Sequence, residues 1–129
     1  VEIIGNTIYT QLEGEFNEHG VIAWVKKLKQ AIGQFNGLPF LMLVDELQAP
    51  GATPKALQEG EKYNQWLNEQ NMLAKAVVYS SNMLRDIDIK HLPARSKQNI
   101  AYFDNLPAAR QWLAEQGQEL LHNSHSIIS

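Results

Sequence analysis

Apolar residues fall in three rhythms along this chain, and each rhythm predicts a different element. Between Gly37-Leu38-Pro39 and Asp45-Glu46, the residues Phe40, Leu41, Met42, Leu43 and Val44 are apolar without a break. Such a run belongs to a strand buried on both faces, as in a parallel sheet covered on two sides. Its short length and Gly-Pro start argue against a helix. Met72–Tyr79 repeats the pattern in Ala76-Val77-Val78-Tyr79 and stops at Ser80-Ser81-Asn82. Ile100–Phe103 is a third, shorter strand.

Strict alternation marks Thr7–Glu13, where Ile8, Thr10 and Leu12 interleave with Tyr9, Gln11 and Glu13. One face of this strand is buried and the other partly wet, as towards a sheet edge. Gly5-Asn6 separates it from Val1–Ile4, which predicts a tight hairpin.

Helical spacing joins Val21, Val25, Leu28, Ile32 and Phe35, with Trp24 and Ala31 beside the stripe and Asn17 as N-cap of a helix over Glu18–Gln34. Lys26, Lys27 and Lys29 take the opposite, solvated side. Thr53-Pro54 sets a hydroxyl cap and a first-turn proline on a second helix reaching about Gln70, with Asn71 as its left-handed end. Its stripe is Ala56, Gly60, Tyr63 and Leu67, widened by Leu57 and Trp66, and Gly60 predicts close approach to the sheet. In Met83–Asn99, Pro93 splits a short helix from a second turn around Ala94–Lys97. Asp104-Asn105 caps a last helix over Leu106–Gln116, and beyond Gly117 the chain reads as a loose polar tail.

Strands alternating with helices assemble into a mostly parallel sheet with right-handed crossovers, the first strand antiparallel to the second. The expected architecture is therefore α/β: a five-stranded mixed sheet with about four helices, in one domain over residues 1–116, followed by the tail 117–129. If the parallel strands succeed one another in chain order, right-handed crossovers place most helices on one face of the sheet. The internal strands are nonetheless apolar on both, so the second face needs a cover: a helix that crosses over, the tail, a ligand or a second subunit.

The residues Ile3-Ile4-Gly5-Asn6-Thr7-Ile8-Tyr9, Leu43-Val44-Asp45, Lys75-Ala76-Val77-Val78, and Tyr102-Phe103-Asp104-Asn105-Leu106-Pro107-Ala108-Ala109-Arg110-Gln111-Trp112-Leu113 stand in the order seen in the SpoIIAA-like family. The chain resembles that family, whose relatives are the STAS and Sec14-type domains, over about residues 1–116. The resemblance implies a non-enzymatic regulatory or protein-interaction module. Anti-sigma-factor antagonists of the wider STAS group carry a phosphorylatable Ser or Thr directly after the third strand. Here that place reads Asp45-Glu46-Leu47-Gln48-Ala49-Pro50-Gly51-Ala52, with no hydroxyl residue, so the phosphosite is not carried over and Thr53 is read as a cap.

Composition narrows the classes. With 129 residues, 44% hydrophobic and 19% charged, the chain can bury a core without staples. A formal charge of −3 lacks the basic footprint of a nucleic-acid binder. Without cysteine there is no disulfide, thiol nucleophile or thiolate metal site. The longest apolar run is about half of a membrane span, so the expected location is cytoplasmic without integral membrane association.

Ligands of parallel sheets usually bind at the carboxyl ends of the strands. That edge collects Asp45, Glu46, Ser80, Ser81, Asn82, Asp104 and Asn105, which could support acid–base or phosphoryl chemistry or could simply end strands and cap helices. Arg85, Asp86, Asp88, Lys90, His91, Arg95 and Lys97, interleaved with Ile87, Ile89 and Leu92, form either a solvated surface or a partner-binding one. Trp24 and Trp66 belong to core packing or to the wall of an apolar, Sec14-type pocket. His122 and His125 lack a third ligand for a metal. The reading is a binding module with no cofactor, no metal and no catalytic residue, docking to another protein or to its own copy as a homodimer. Its candidate surface is Asp45, Glu46, Ser80, Ser81, Arg85, His91, Trp24 and Trp66. A carrier or sensor of a small apolar molecule or lipid is the alternative, and a hydrolase or transferase at the acidic edge the third.

Overall fold

The computed structural model describes the backbone of residues 1–13, 17–49, 51–80 and 82–128. It describes their side chains too, except at 13, 82–84, 87, 88 and 120–128. In chain order the elements are β1 (Glu2–Ile4), β2 (Thr7–Glu13), α1 (Glu18–Gly33), β3 (Phe40–Gln48), α2 (Pro54–Leu67), β4 (Met72–Tyr79), α3 (Asn82–His91), a 3-10 turn (Pro93–Lys97), β5 (Ile100–Phe103) and α4 (Leu106–Ile128).

The sheet follows chain order, β1-β2-β3-β4-β5, with β1 antiparallel to β2 and every later pair parallel. Gly5 alone of the hairpin pair takes a positive φ (61°), at the first central position, as a type II′ turn requires. Asn17 Oδ1 accepts from the Gly20 N–H at 2.9 Å and caps α1; Thr53 Oγ1 accepts from the Ala56 N–H at 3.2 Å and caps α2.

Strand alternation sorts the core into two layers. Ile8, Phe40, Met42, Val44, Val77 and Tyr79 face α1 and α2, meeting Leu28, Ile32, Tyr63 and Leu67. Leu41, Leu43, Ala74, Ala76 and Val78 face the other way and meet Ala109 and Leu113 of α4. The second apolar face is thus covered by a helix that crosses over, which removes the uncovered face as an argument for a second subunit. No described helix is long and apolar enough to cross a membrane.

Three local expectations are corrected. The last helix does not stop at Gln116 but runs through Gly117 to Ile128. Gly117 packs there rather than terminating: a Cβ on it would stand 3.0 Å from Leu41 Cδ1, so the missing side chain lets α4 lie close on β3. Gly60 faces Leu92, which a Cβ would meet in ordinary contact at 3.4 Å, and makes no close approach to the sheet. Finally, α2 is capped at its C-terminus by Asn68 with φ −64°, and Asn71 instead donates from Nδ2 to the Gly37 carbonyl at 3.1 Å, tying two loops together.

Candidate functional site

Asp45 and Glu46 both sit near the carboxyl end of β3, yet they point to opposite faces, because that strand continues to Gln48 and its side chains still alternate. Asp45, 3% exposed, lies on the α4 side. Its Oδ2 accepts from the Tyr9 hydroxyl at 3.1 Å and its Oδ1 from the Leu47 N–H at 3.0 Å. Burial raises the Tyr9 phenol above its ordinary value, and the bond to Asp45 adds to the shift. Glu46 lies on the α1–α2 side, so the two carboxylates do not form a pair.

On that side a buried arginine completes the polar end of the sheet. Arg95, 4% exposed, comes from the 3-10 turn, which Pro93 starts and the Asn68 Nδ2 bond to the Ala94 carbonyl (2.9 Å) holds against α2. Its Nη1 donates to Tyr79 Oη at 2.7 Å, and its Nη2 stands 3.9 Å from Glu46 Oε1. Glu46 and Tyr79 are register neighbours on β3 and β4, so the guanidinium spans two adjacent strand ends.

These three residues line a cavity of about 90 Å³ between the sheet and α1, α2 and the 3-10 turn. Its wall is apolar at Leu12, Val21, Trp24, Leu57 and Leu92, with Gly60 and Asn64 from α2. The β3–α2 connection brings Ala49, Gly51 and Ala52 to it. Trp24 is fixed there by an Nε1 bond to Thr10 Oγ1 at 2.6 Å. Trp66 does not reach the cavity; it stacks on Tyr63 at 6.1 Å, with Lys29 Nζ 4.8 Å from its ring centroid.

Beneath α2 lies a second polar group. Lys75, 1% exposed, donates from Nζ to Asn64 Oδ1 at 2.8 Å and to Gln98 Oε1 at 3.4 Å. Gln98 Nε2 also donates to Asn64 Oδ1, at 3.1 Å, and Asn64 Nδ2 to the Gly60 carbonyl, at 2.8 Å. Asn64 belongs to both this cluster and the cavity wall.

Of the residues singled out in the sequence, the structure brings Glu46 and Trp24 together at the cavity. Ser80 is exposed, His91 is exposed at the end of α3, and Arg85 pairs with Asp86 at 3.6 Å on the surface; none of them lines the cavity. Ser81, His122 and His125 lie outside the described residues or side chains. Asn105 is a cap, its Oδ1 accepting from the Ala108 N–H at 2.9 Å. Among the described residues no three of His, Asp or Glu come together as a metal site. Sequence reasoning missed Arg95, Tyr79, Asn64 and Lys75 as members of buried polar groups. One signal was present: a lysine inside an internal strand otherwise apolar on both faces has to be buried with partners.

The architecture, a sequential mixed sheet with helices on both faces, defines an α/β domain of SpoIIAA-like fold. A crystal structure of an uncharacterised DUF3478-family protein with a SpoIIAA-like fold, from Shewanella loihica PV-4, matches it with a TM-score of 0.65. The match covers 81% of this chain and 82% of that one at 13% identity, a likeness of fold. No family model and no curated protein matches the chain.

Proposed function

We propose that this chain is a non-catalytic binding module that holds a small, largely apolar molecule in the cavity beside Trp24. The observation that carries the reading is the cavity itself: partly enclosed, largely apolar along its wall, and lined also by Glu46, Tyr79 and Arg95. Ligand sites commonly combine an apolar wall with a few convergent polar groups, and in open parallel sheets they lie at the carboxyl ends of strands. At about 90 Å³ the space suits a small molecule rather than a lipid tail. Ala49→Phe should fill it from the β3–α2 connection. The test is a ligand-observed NMR screen of small amphipathic compounds against the wild type and this variant. Binders of the wild type that Ala49→Phe abolishes support the reading; a wild type that binds none of them, or binders indifferent to the substitution, defeats it.

A second reading, docking to another protein or to a second copy, is favoured by the hairpin edge. The edge strand β1 is exposed throughout, with Ile4 65% exposed and Ile3 and Val1 beside it. Open strand edges are templates for pairing. Sedimentation equilibrium at micromolar concentration distinguishes the cases: a two-fold dimer doubles the 14.6 kDa mass, and a single species at that mass excludes self-pairing.

A further inference from the structure

Along α1 the charge runs against the sign of the whole chain. The helix holds Lys26, Lys27 and Lys29 against a single acid, Glu18 in its first turn, while the chain carries a formal charge of −3. Lys26 and Lys29 line an open groove of about 680 Å³ between α1 and α2, with Lys62 and Glu59 on the α2 wall. Ile22, Val25 and Tyr63 give the groove its apolar surface. Glu59 is already taken by Lys62 at 3.2 Å, and Lys29 Nζ lies 4.8 Å from the Trp66 ring centroid. Neither Lys26 nor Lys29 has a carboxylate at ion-pair distance among the described residues.

The geometry points to this groove as the docking site for an acidic amphipathic helix of a partner protein. The surface is separate from both the cavity and the hairpin edge. Charge complementarity sets the sign: three lysines against one paired glutamate attract and orient a carboxylate-bearing segment. Apolar anchors at helical spacing on that segment then meet Ile22, Val25 and Tyr63 between the lysines. The helical form follows from the backbone. Both walls are helices that satisfy their own main-chain groups, so an extended peptide finds no strand edge to pair with here, whereas a helix arrives already satisfied. From Ile22 to Gln30 the α1 wall runs about 12 Å, which matches about two turns of an occupant. A flat anionic bilayer is the poorer fit. A helix lying on a membrane presents a whole apolar face, but here Tyr63 is 3% exposed and Val25 half-buried, leaving Ile22 as the exposed apolar member.

Two synthetic peptides of about four helical turns test this by fluorescence anisotropy at low salt. Both carry leucine at i, i+3, i+4 and i+7, one with glutamate and the other with lysine at the remaining positions. By net charge alone a chain of −3 favours the basic peptide, so the opposite preference reports the groove. The acidic peptide should bind the wild type about tenfold more tightly than the basic one, and weaken as salt is added. Lys26→Glu should weaken it about tenfold, while Lys97→Glu, an equal change of charge outside the groove, leaves it within about twofold. Ile22→Ser should weaken it as well, through the lost apolar anchor. All three substitutions fall on exposed side chains outside both core layers. Equal binding of the two peptides, binding of neither, or indifference to Lys26→Glu overturns the inference. A loss with Lys26→Glu and none with Ile22→Ser reduces the site to a charged patch and overturns the groove. Failure of both peptides, with co-sedimentation on phosphatidylserine vesicles that Lys26→Glu abolishes, gives the surface to a membrane instead. A dimer that Lys26→Glu dissociates gives it to a second copy, and either result overturns the partner helix.

Discussion

Tyr63 carries a hydroxyl into the middle of the larger core layer, 3% exposed, where its Oη donates to the Met42 sulfur at 3.7 Å. Burial there raises the phenol well above its ordinary value of 10, and the positive charge of Arg95 works weakly against the shift. The folded state therefore binds the phenolic proton more tightly than the unfolded state does. The stabilisation is fully present below pH 10 and is lost as pH rises from there towards the folded-state value, because the unfolded chain ionises first. Urea unfolding between pH 8 and pH 11 should show stability falling above pH 10, with Tyr63→Phe flattening the fall. An equally steep decline in the variant would assign the sensitivity elsewhere. Lys75 and Arg95 illustrate the same scale differently. Each is a basic side chain at or below 4% exposure with polar partners: Lys75 donates to Asn64 and Gln98, and Arg95 donates to Tyr79 beside the Glu46 carboxylate.

At the scale of elements, two helical glycines with similar sequence settings have opposite consequences. Gly60 in α2 would place a Cβ 3.4 Å from the end of the Leu92 side chain, an ordinary contact. Gly60→Ala should therefore stabilise by about 0.5–1 kcal/mol through helix propensity. Gly117 in α4 lies against Leu41 with only 3.0 Å for the same atom. Gly117→Val adds a branched side chain where two elements already touch, and overpacking of that kind costs roughly 1–3 kcal/mol. Thermal melts of both variants check the pair; a stabilised Gly117→Val would mean that α4 does not dock through this residue. Reading Gly117 as the start of a tail followed from a real preference of glycine for helix ends. The preference lost because α4 packs on β3 at this residue, where a Cβ would stand only 3.0 Å from Leu41 Cδ1.

At the scale of the whole molecule, β3 and β4 are shared by two core layers, so a single strand residue couples the helices of one face to the sheet. Leu43, 2% exposed, belongs to the layer that α4 closes. Leu43→Ala should destabilise by about 2–5 kcal/mol, the usual range for emptying a buried leucine site. A denaturation midpoint unchanged by this substitution would remove β3 from the centre of the fold. The α4 helix also redefines the question of self-association. Among the described residues, large apolar side chains are exposed at the hairpin edge, at Val1, Ile3 and Ile4, and also at Ile22, Leu38 and Ile89.

What the amino-acid order determined by itself was local. The two-residue hairpin turn, the Asn17 and Thr53 caps, the break at Pro93, the strand Ile100–Phe103 and the sequence of elements all depend on backbone preferences and on short-range periodicity. With right-handed crossovers these were enough for a mostly parallel sheet, while its strand order followed from the family resemblance. Tertiary structure alone decided which groups meet. Asp45 and Glu46 are neighbours in sequence, yet they are separated by the sheet because β3 runs two residues beyond them. Glu46, Tyr79 and Arg95 are far apart in sequence and come within contact because β3 and β4 align in register and the 3-10 turn folds back over their ends. Arg95 reads as a surface charge along the chain, since burial of a cation depends on partners that no local pattern specifies. The face taken by α4 was equally illegible, because a terminal helix has no following strand to fix its side; the apolar surface of Leu41, Leu43, Ala76 and Val78 fixes it instead.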